Sequence, residues 1–166
     1  GAERHHSLMI FSAPAKLNLC LHITGKRADG YHLLQSLVVF TEFGDELTVE
    51  ESEALSLTIS GPFSGELAAQ DNLVMRAAKA LAAGRGARME LDKRIPVGAG
   101  LGGGSSDAAA ALYGLQALWG VEITEAELVR LGSDVPVCFR RQPAWMEGIG
   151  EKITPVLLKA HAWAVL

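Results

Sequence analysis

The residues best suited to chemistry lie mid-chain, where Pro96-Val97-Gly98-Ala99-Gly100-Leu101-Gly102-Gly103-Gly104-Ser105-Ser106 runs into Asp107-Ala108. Five of the seven residues from Gly98 to Gly104 are glycine. Glycine lets successive backbone N–H groups turn toward an anion with no Cβ in the way. The apolar repeat that follows reads as a helix, and a helix start adds free N–H groups and the positive end of its dipole. Ser105 and Ser106 supply hydroxyl donors, or a ligand for a phosphate-bound magnesium ion. A flexible linker does not fit between such structured flanks, and a tight turn needs far fewer glycines. The chemistry indicated is phosphate binding.

Other candidates are less explicit on residue grounds alone. Lys16 stands in an apolar stretch, between Ala15 and Leu17, where a lysine ordinarily snorkels to the surface. Asp134, in Gly132-Ser133-Asp134-Val135-Pro136, reads as a turn or cap residue ahead of a proline that discourages helix. Tyr31-His32 follow the Asp29-Gly30 turn and read as a strand start. Asn72 reads as a helix-start residue, and Lys93 stands shortly before the glycine loop. Cys20 and Cys138 sit among apolar neighbours without a CxxC spacing, which predicts buried, reduced thiols and a cytoplasmic setting. Met89 and the three tryptophans read as packing residues, and Glu147 to Glu151 as structural.

These residues need elements to position them. The chain has 166 residues, 49% of them apolar and 20% charged, so one domain with a sizeable core is expected. The net charge of −4 and the lack of a basic run give no electrostatic reason for a nucleic-acid partner. No apolar run approaches the length of a membrane span. Leu8–Ala13, Leu17–Thr24 and His32–Thr41 read as strands, with a turn at Gly25–Gly30. Leu47–Glu51 and Leu55–Ser60 alternate and predict a hairpin pair. Asp71 is expected to cap a helix over Leu73–Ala83, followed by a strand over Arg88–Ile95. Ser105 or Ser106 is expected to cap a helix reaching Trp119, with Ala108, Ala111, Leu112, Leu115 and Leu118 on one face. Thr124 and Glu127 make a capping-box signature for a short helix to Leu131. From Val135 onward, short apolar runs separated by turns read as β. Strands grouped first and mixed with helices later predict an α+β fold.

Familiar phosphate loops do not match. Gly98 and Gly103 have the Walker separation, but Gly104 follows where lysine is required. Gly98, Gly100 and Gly103 satisfy GxGxxG, with Glu122 roughly 20 residues on, yet the preceding strand alternates in charge where a dinucleotide-binding strand is continuously apolar. The HRD and DFG segments of protein kinases are absent. The loop, with its proline, its central Gly100-Leu101-Gly102 and its Ser105-Ser106-Asp107-Ala108, resembles that of the GHMP small-molecule kinases. Its extra glycines narrow the resemblance to a branch acting in the non-mevalonate isoprenoid pathway. Ala13-Pro14-Ala15-Lys16-Leu17-Asn18-Leu19, Arg27-Ala28-Asp29-Gly30-Tyr31-His32, Asp71-Asn72-Leu73-Val74, Leu131-Gly132-Ser133-Asp134-Val135-Pro136 and Glu147-Gly148-Ile149-Gly150-Glu151 agree with it in order.

The resemblance implies the family's N-terminal domain, an α+β fold like the second domain of ribosomal protein S5, and a further C-terminal domain beyond Leu166. It implies ATP, together with magnesium, as phosphate donor and a cytidine diphosphate sugar alcohol as the small-molecule acceptor, phosphorylated on its 2-hydroxyl. Asp134 becomes the carboxylate that accepts the hydroxyl proton, and Lys16 the ammonium beside it. Residues 96–106, Asn72 and Lys93 would contact ATP, while Asn18, Tyr31 and His32 would contact the acceptor. Nothing in the resemblance points to a nucleic-acid or membrane partner.

Overall fold

The computed structural model describes residues 8–66 and 72–165. Its elements are β1 (Met9–Lys26), β2 (His32–Ser52), β3 (Ser56–Ser60), α1 (Leu73–Ala82), β4 (Gly86–Asp92), α2 (Gly103–Trp119), α3 (Glu125–Leu131), α4 (Val135–Arg140), β5 (Ala144–Gly148) and β6 (Lys152–Pro155). One mixed sheet runs β3-β4-β2-β5-β6, and β1 also pairs with β2. The α+β expectation holds. The strands foreseen at Leu8–Ala13 and Leu17–Thr24 are one strand, β1, kept continuous by register shifts between Pro14/Lys16, Asn18/Cys20 and Ile23/Gly25. The second shift leaves β1 and β2 as a long ribbon closed by the foreseen turn, where the Arg27 N–H donates to Tyr31 O.

The hairpin expected between Leu47–Glu51 and Leu55–Ser60 does not form. The first segment is the end of β2, and β4 lies between it and β3, antiparallel to β2 and parallel to β3. Gly86 admits β4 there. A Cβ on it would come within 2.4 Å of the Ser52 carbonyl oxygen and of the Glu53 carbonyl carbon, so only glycine lets the strand start against that backbone. Met89 and Leu91 then reach the core fully buried, while Glu90 between them is exposed.

Helices α1 and α2 cover one face of the sheet over a core that includes Leu47, Val49, Val74, Met89, Leu91, Leu112 and Leu115. The alanine run Ala108–Ala111 is fully buried, and Gly114 lets α2 lie against Val49, whose Cγ2 would be 2.6 Å from a Cβ there. The stripe foreseen from sequence is the buried face, with Leu118 at its partly buried margin. The expected cap is not. Helix α2 begins at Gly103 behind Gly102, which has φ 61° and makes no side-chain cap bond, so Ser105 and Ser106 lie inside the first turn. At α1 the cap is Asn72, whose Oδ1 accepts from the Val74 N–H at 2.8 Å. Asp71, the cap foreseen there, lies outside the described residues.

The capping box of α3 is present in both directions between Thr124 and Glu127. The segment after Val135 starts as helix α4, not as β. Pro136 sits in its first turn, where a missing N–H costs nothing. Met89 packs as foreseen, but Trp163 is fully exposed, so the packing expectation fails for that tryptophan. Among the described residues no helix is long and apolar enough to cross a membrane.

Candidate active site

The glycine loop borders a cleft of about 390 Å³ between Asn72 at the start of α1 and Gly103 to Ser105 at the start of α2. That is the size of a small-molecule site. The chain enters the loop from the end of β4 and leaves it into α2, so the first free N–H groups of α2 face the same cleft.

The loop glycines divide by what lies beneath them. Gly98, Gly100 and Gly104 have nothing within 4 Å of an added Cβ. Gly102 and Gly103 instead press on two lysines. A Cβ on Gly102 would lie 2.9 Å from Cε of Lys16, and one on Gly103 would lie 2.8 Å from Nζ of Lys93. The loop is therefore rich in glycine for two reasons, open approach on one side and close packing on the other.

Lys16 comes from the first register shift in β1. Its N–H, free of the ladder there, donates to Leu101 O at 2.8 Å and ties the strand to the loop. Its side chain is nearly buried, and Nζ lies 3.2 Å from Asp134 Oδ2. Nζ also donates to Asn18 Oδ1 at 3.2 Å. The Asn18 amide donates in turn to Ser36 Oγ at 2.7 Å, and that hydroxyl donates to Cys20 O at 2.7 Å. The ammonium is thus aimed by a chain of hydrogen bonds that ends on backbone. Ser36, fully buried in β2, was not legible as a site residue, because a lone serine in an apolar strand carries no motif.

Asp134 precedes α4 but makes no capping bond, so its carboxylate is left for Lys16. Its side chain is 39% exposed. Helix α4 is pinned to α2 through Tyr113, whose ring stacks on Phe139 with centroids 4.5 Å apart and whose hydroxyl donates to Phe139 O. Arg141 lies over the other aromatic partner, its guanidinium carbon 4.6 Å from the Tyr113 ring centre. Burial lowers the Arg141 pKa. Cys138 on the same helix is buried, and burial first, then the Asp134 charge, pushes its thiol up to about 12. It is a packing residue, as foreseen; Cys20 is only half-buried.

Lys93 continues the buried face of β4 beyond Leu91 and is 2% exposed. Its ammonium bonds Asp45 Oδ2 and lies 3.1 Å from Asp107 Oδ2. The other oxygen of Asp45 accepts the N–H groups of Arg94 at 2.5 Å and Ile95 at 2.7 Å, the last residues before the loop. Burial, and next its hydrogen bond with Asp45, raise Asp107 well above the ordinary carboxylate range against the pull of Lys93. Asp107 Oδ1 and Ser106 Oγ are buried with no hydrogen-bond partner among the described residues. Neither Asp45 nor Asp107 was singled out from sequence, since each is separated in sequence from the lysine it meets.

The structure therefore brings together Lys16, Asn18, Asp134 and the loop, and places Asn72 on the cleft wall. Tyr31 and His32 lie apart, exposed at the turn end of the β1–β2 ribbon, with Lys26 paired to His32 and Lys16 paired to Phe40. Among the described residues neither has a hydrogen bond to Lys16, Asp134 or the loop. No group of three or more His, Cys, Asp or Glu side chains that could hold a metal ion occurs among the described residues.

Residues 72–143, which hold the loop, α2, α3 and Asp134, match the family model described as GHMP kinases N terminal domain. A 4-diphosphocytidyl-2-C-methyl-D-erythritol kinase from Ruegeria pomeroyi is 56% identical over 146 residues, covering 87% of this chain and 52% of that protein. The chain belongs to the GHMP kinase family. A 4-diphosphocytidyl-2-C-methyl-D-erythritol kinase from Cereibacter sphaeroides is 53% identical over 157 residues, covering 93% of this chain and 56% of the relative. A crystal structure of 4-(cytidine 5'-diphospho)-2C-methyl-D-erythritol kinase superposes with a TM-score of 0.77 at 42% identity, over 90% of this chain and 56% of that one. The chain spans about half the length of the curated relatives it matches. In this GHMP kinase domain the loop and the Lys16–Asp134 pair stand side by side, an arrangement suited to holding a polyphosphate next to a lysine–carboxyl pair.

Proposed function

We propose that this chain forms the nucleotide side of an ATP-dependent kinase that phosphorylates the 2-hydroxyl of 4-diphosphocytidyl-2-C-methyl-D-erythritol, an isoprenoid precursor. The observation that carries the reading is the Lys16–Asp134 pair, 3.2 Å apart, on a strand hydrogen-bonded to the glycine loop. The acceptor assignment draws on the relatives at 56% and 53% identity.

Phosphoryl transfer needs positioning and charge stabilisation more than covalent help. The loop N–H groups and the start of α2 would hold the ATP phosphates, with Asn72 at the adenine end of the cleft. Asp134 would accept the proton of the attacking hydroxyl, and Lys16 would orient that carboxylate and draw the oxygen toward the γ-phosphate. Asn18 would hold the acceptor side through its bond to Lys16, while Tyr31 and His32 would take the cytidine from the ribbon. A magnesium ion would enter on the triphosphate. Ser105, together with Ser106, whose hydroxyl has no hydrogen-bond partner among the described residues, would hold it, and it would supply charge neutralisation, which suits an ion that keeps most of its water and phosphate ligands.

The test is ATP consumption by the full chain with 4-diphosphocytidyl-2-C-methyl-D-erythritol, together with the intact mass of the same sample. Asp134→Ala is expected to lower turnover by roughly 10²–10⁴-fold while nucleotide binding remains. Turnover that survives this change would remove Asp134 from the chemistry. ATP binding with no transfer in the unaltered protein would leave a nucleotide-binding module.

A further inference from the structure

The Asp45–Lys93–Asp107 trio lies beneath the loop, and its geometry joins three separate parts of the chain. Asp45 belongs to β2 just where its pairing with β4 ends at Glu46, and it takes over the next two N–H groups, those of Arg94 and Ile95. Asp107 belongs to the second turn of α2, and Lys93 bonds both carboxylates from between them. Gly103 rests on the ammonium itself and on Ile95, whose Cγ2 would be 3.2 Å from an added Cβ. Both ends of the glycine loop are therefore fastened to one cation.

Stability does not account for this arrangement. Replacing a buried ion cluster by well-packed apolar groups of similar volume is often neutral or stabilising. What the ions supply and apolar groups do not is direction. Both oxygens of Asp45, Asp107 Oδ2 and the two adjacent N–H groups of Arg94 and Ile95 find their partners together in only one placement of the loop's ends.

We propose that Asp45, Lys93 and Asp107 are positioning residues that clamp the phosphate loop in its anion-accepting shape, with Lys93 acting on the polyphosphate through Gly103 and the loop backbone and not by touching the base. The inference rests on the kinase reading only in taking the cleft as a polyphosphate site. It recasts Lys93, expected from sequence among the nucleotide contacts, as a strut under the loop.

The test is calorimetric titration of the full chain with adenosine, ADP and inorganic tripolyphosphate. Lys93→Met keeps the aliphatic stem and removes the charge. ADP and tripolyphosphate are expected to bind about ten-fold or more weakly, with adenosine unchanged within about two-fold, because loss of preorganisation falls on the groups the loop holds. The double variant Lys93→Met/Asp107→Leu removes one of the two buried carboxyls left without their cation and is expected to regain part of the lost thermal stability without regaining ADP affinity. Recovery of ADP affinity along with stability would reduce the trio to a structural role and overturn the proposal. A parallel fall in adenosine affinity would place Lys93 on the base and overturn it equally. An unaltered protein that binds none of the three probes would instead overturn the kinase reading, and the clamp with it.

Discussion

Lys16 and Lys93 lie under adjacent glycines of the same loop, yet they are set in opposite ways. Lys93 is buried at the floor of the cleft it lines, with partner side chains that are 0% and 2% exposed. Lys16 is equally buried along its stem, but its partner Asp134 is 39% exposed. One ammonium is held between two buried carboxyls, while the other shares its charge with a group that solvent or a substrate can reach. Burial alone does not mark a catalytic lysine. What separates the two is whether the counter-ion is also buried.

That contrast predicts its largest effect in stability. Lys93→Met leaves two carboxylates without their cation and is expected to cost about 3–5 kcal/mol in denaturant unfolding. Lys16→Met leaves only a part-exposed carboxylate, which water can solvate, and is expected to stay within about 1 kcal/mol of the parent. Its loss should appear in turnover, by about 10²–10³-fold, as for removal of a charge-stabilising donor. Equal destabilisation by the two changes would break the comparison.

A smaller effect sharpens it from the side of the loop. Gly98 and Gly102 both have positive φ, 71° and 61°, so an alanine at either carries a similar backbone strain of about 1–2 kcal/mol. Only at Gly102 would the new methyl meet Lys16. Gly102→Ala is therefore expected to lower kcat by about ten-fold through misplacement of the ammonium. Gly98→Ala, facing the open cleft, should act mainly on KM for ATP. Steady-state kinetics of the two variants, with kcat and KM resolved, is the measurement.

The sequence made one side of this comparison far more visible than the other. The glycine run, the helix behind it and the α3 capping box are local signals, in which spacing and residue type act on neighbours, and all three were legible. Lys16 and Asp134 stood out only through resemblance to a known family, because each alone is an ordinary strand or turn residue. The trio was invisible because Asp45 reaches residues 48 to 50 positions away. The failed hairpin has the same cause. Alternation told that Leu47–Glu51 and Leu55–Ser60 were strands, but the insertion of β4 between them depends on Gly86 meeting a distant backbone. The β expectation after Val135 failed on Pro136, read as a helix breaker when it is a first-turn residue.

The smallest predicted effects concern two carboxyl groups at the starts of two helices, and their signs oppose. Asp107 is raised in the folded protein, so its contribution to stability is full below the ordinary carboxylate value and is lost as pH rises through its raised value. Glu127 is lowered, chiefly by the Thr124 backbone N–H and then by the Thr124 hydroxyl, so its contribution is present above the ordinary value and is lost as pH falls through its folded value. Unfolding free energies measured from about pH 3 to pH 8 separate the two. Asp107→Asn is expected to remove the fall toward higher pH. Thr124→Ala takes away the hydroxyl but leaves the backbone N–H, so it is expected to shrink the fall toward acid and to cost about 0.5–2 kcal/mol near neutrality, as for other lost caps. Since α3 carries no residue of the cleft, Thr124→Ala should leave ADP affinity where it was, whereas Asp107→Asn should lower it even at pH values where stability is regained. A cap variant that weakened ADP as much as Asp107→Asn would mean that general stability, and not the ion trio, sets the loop.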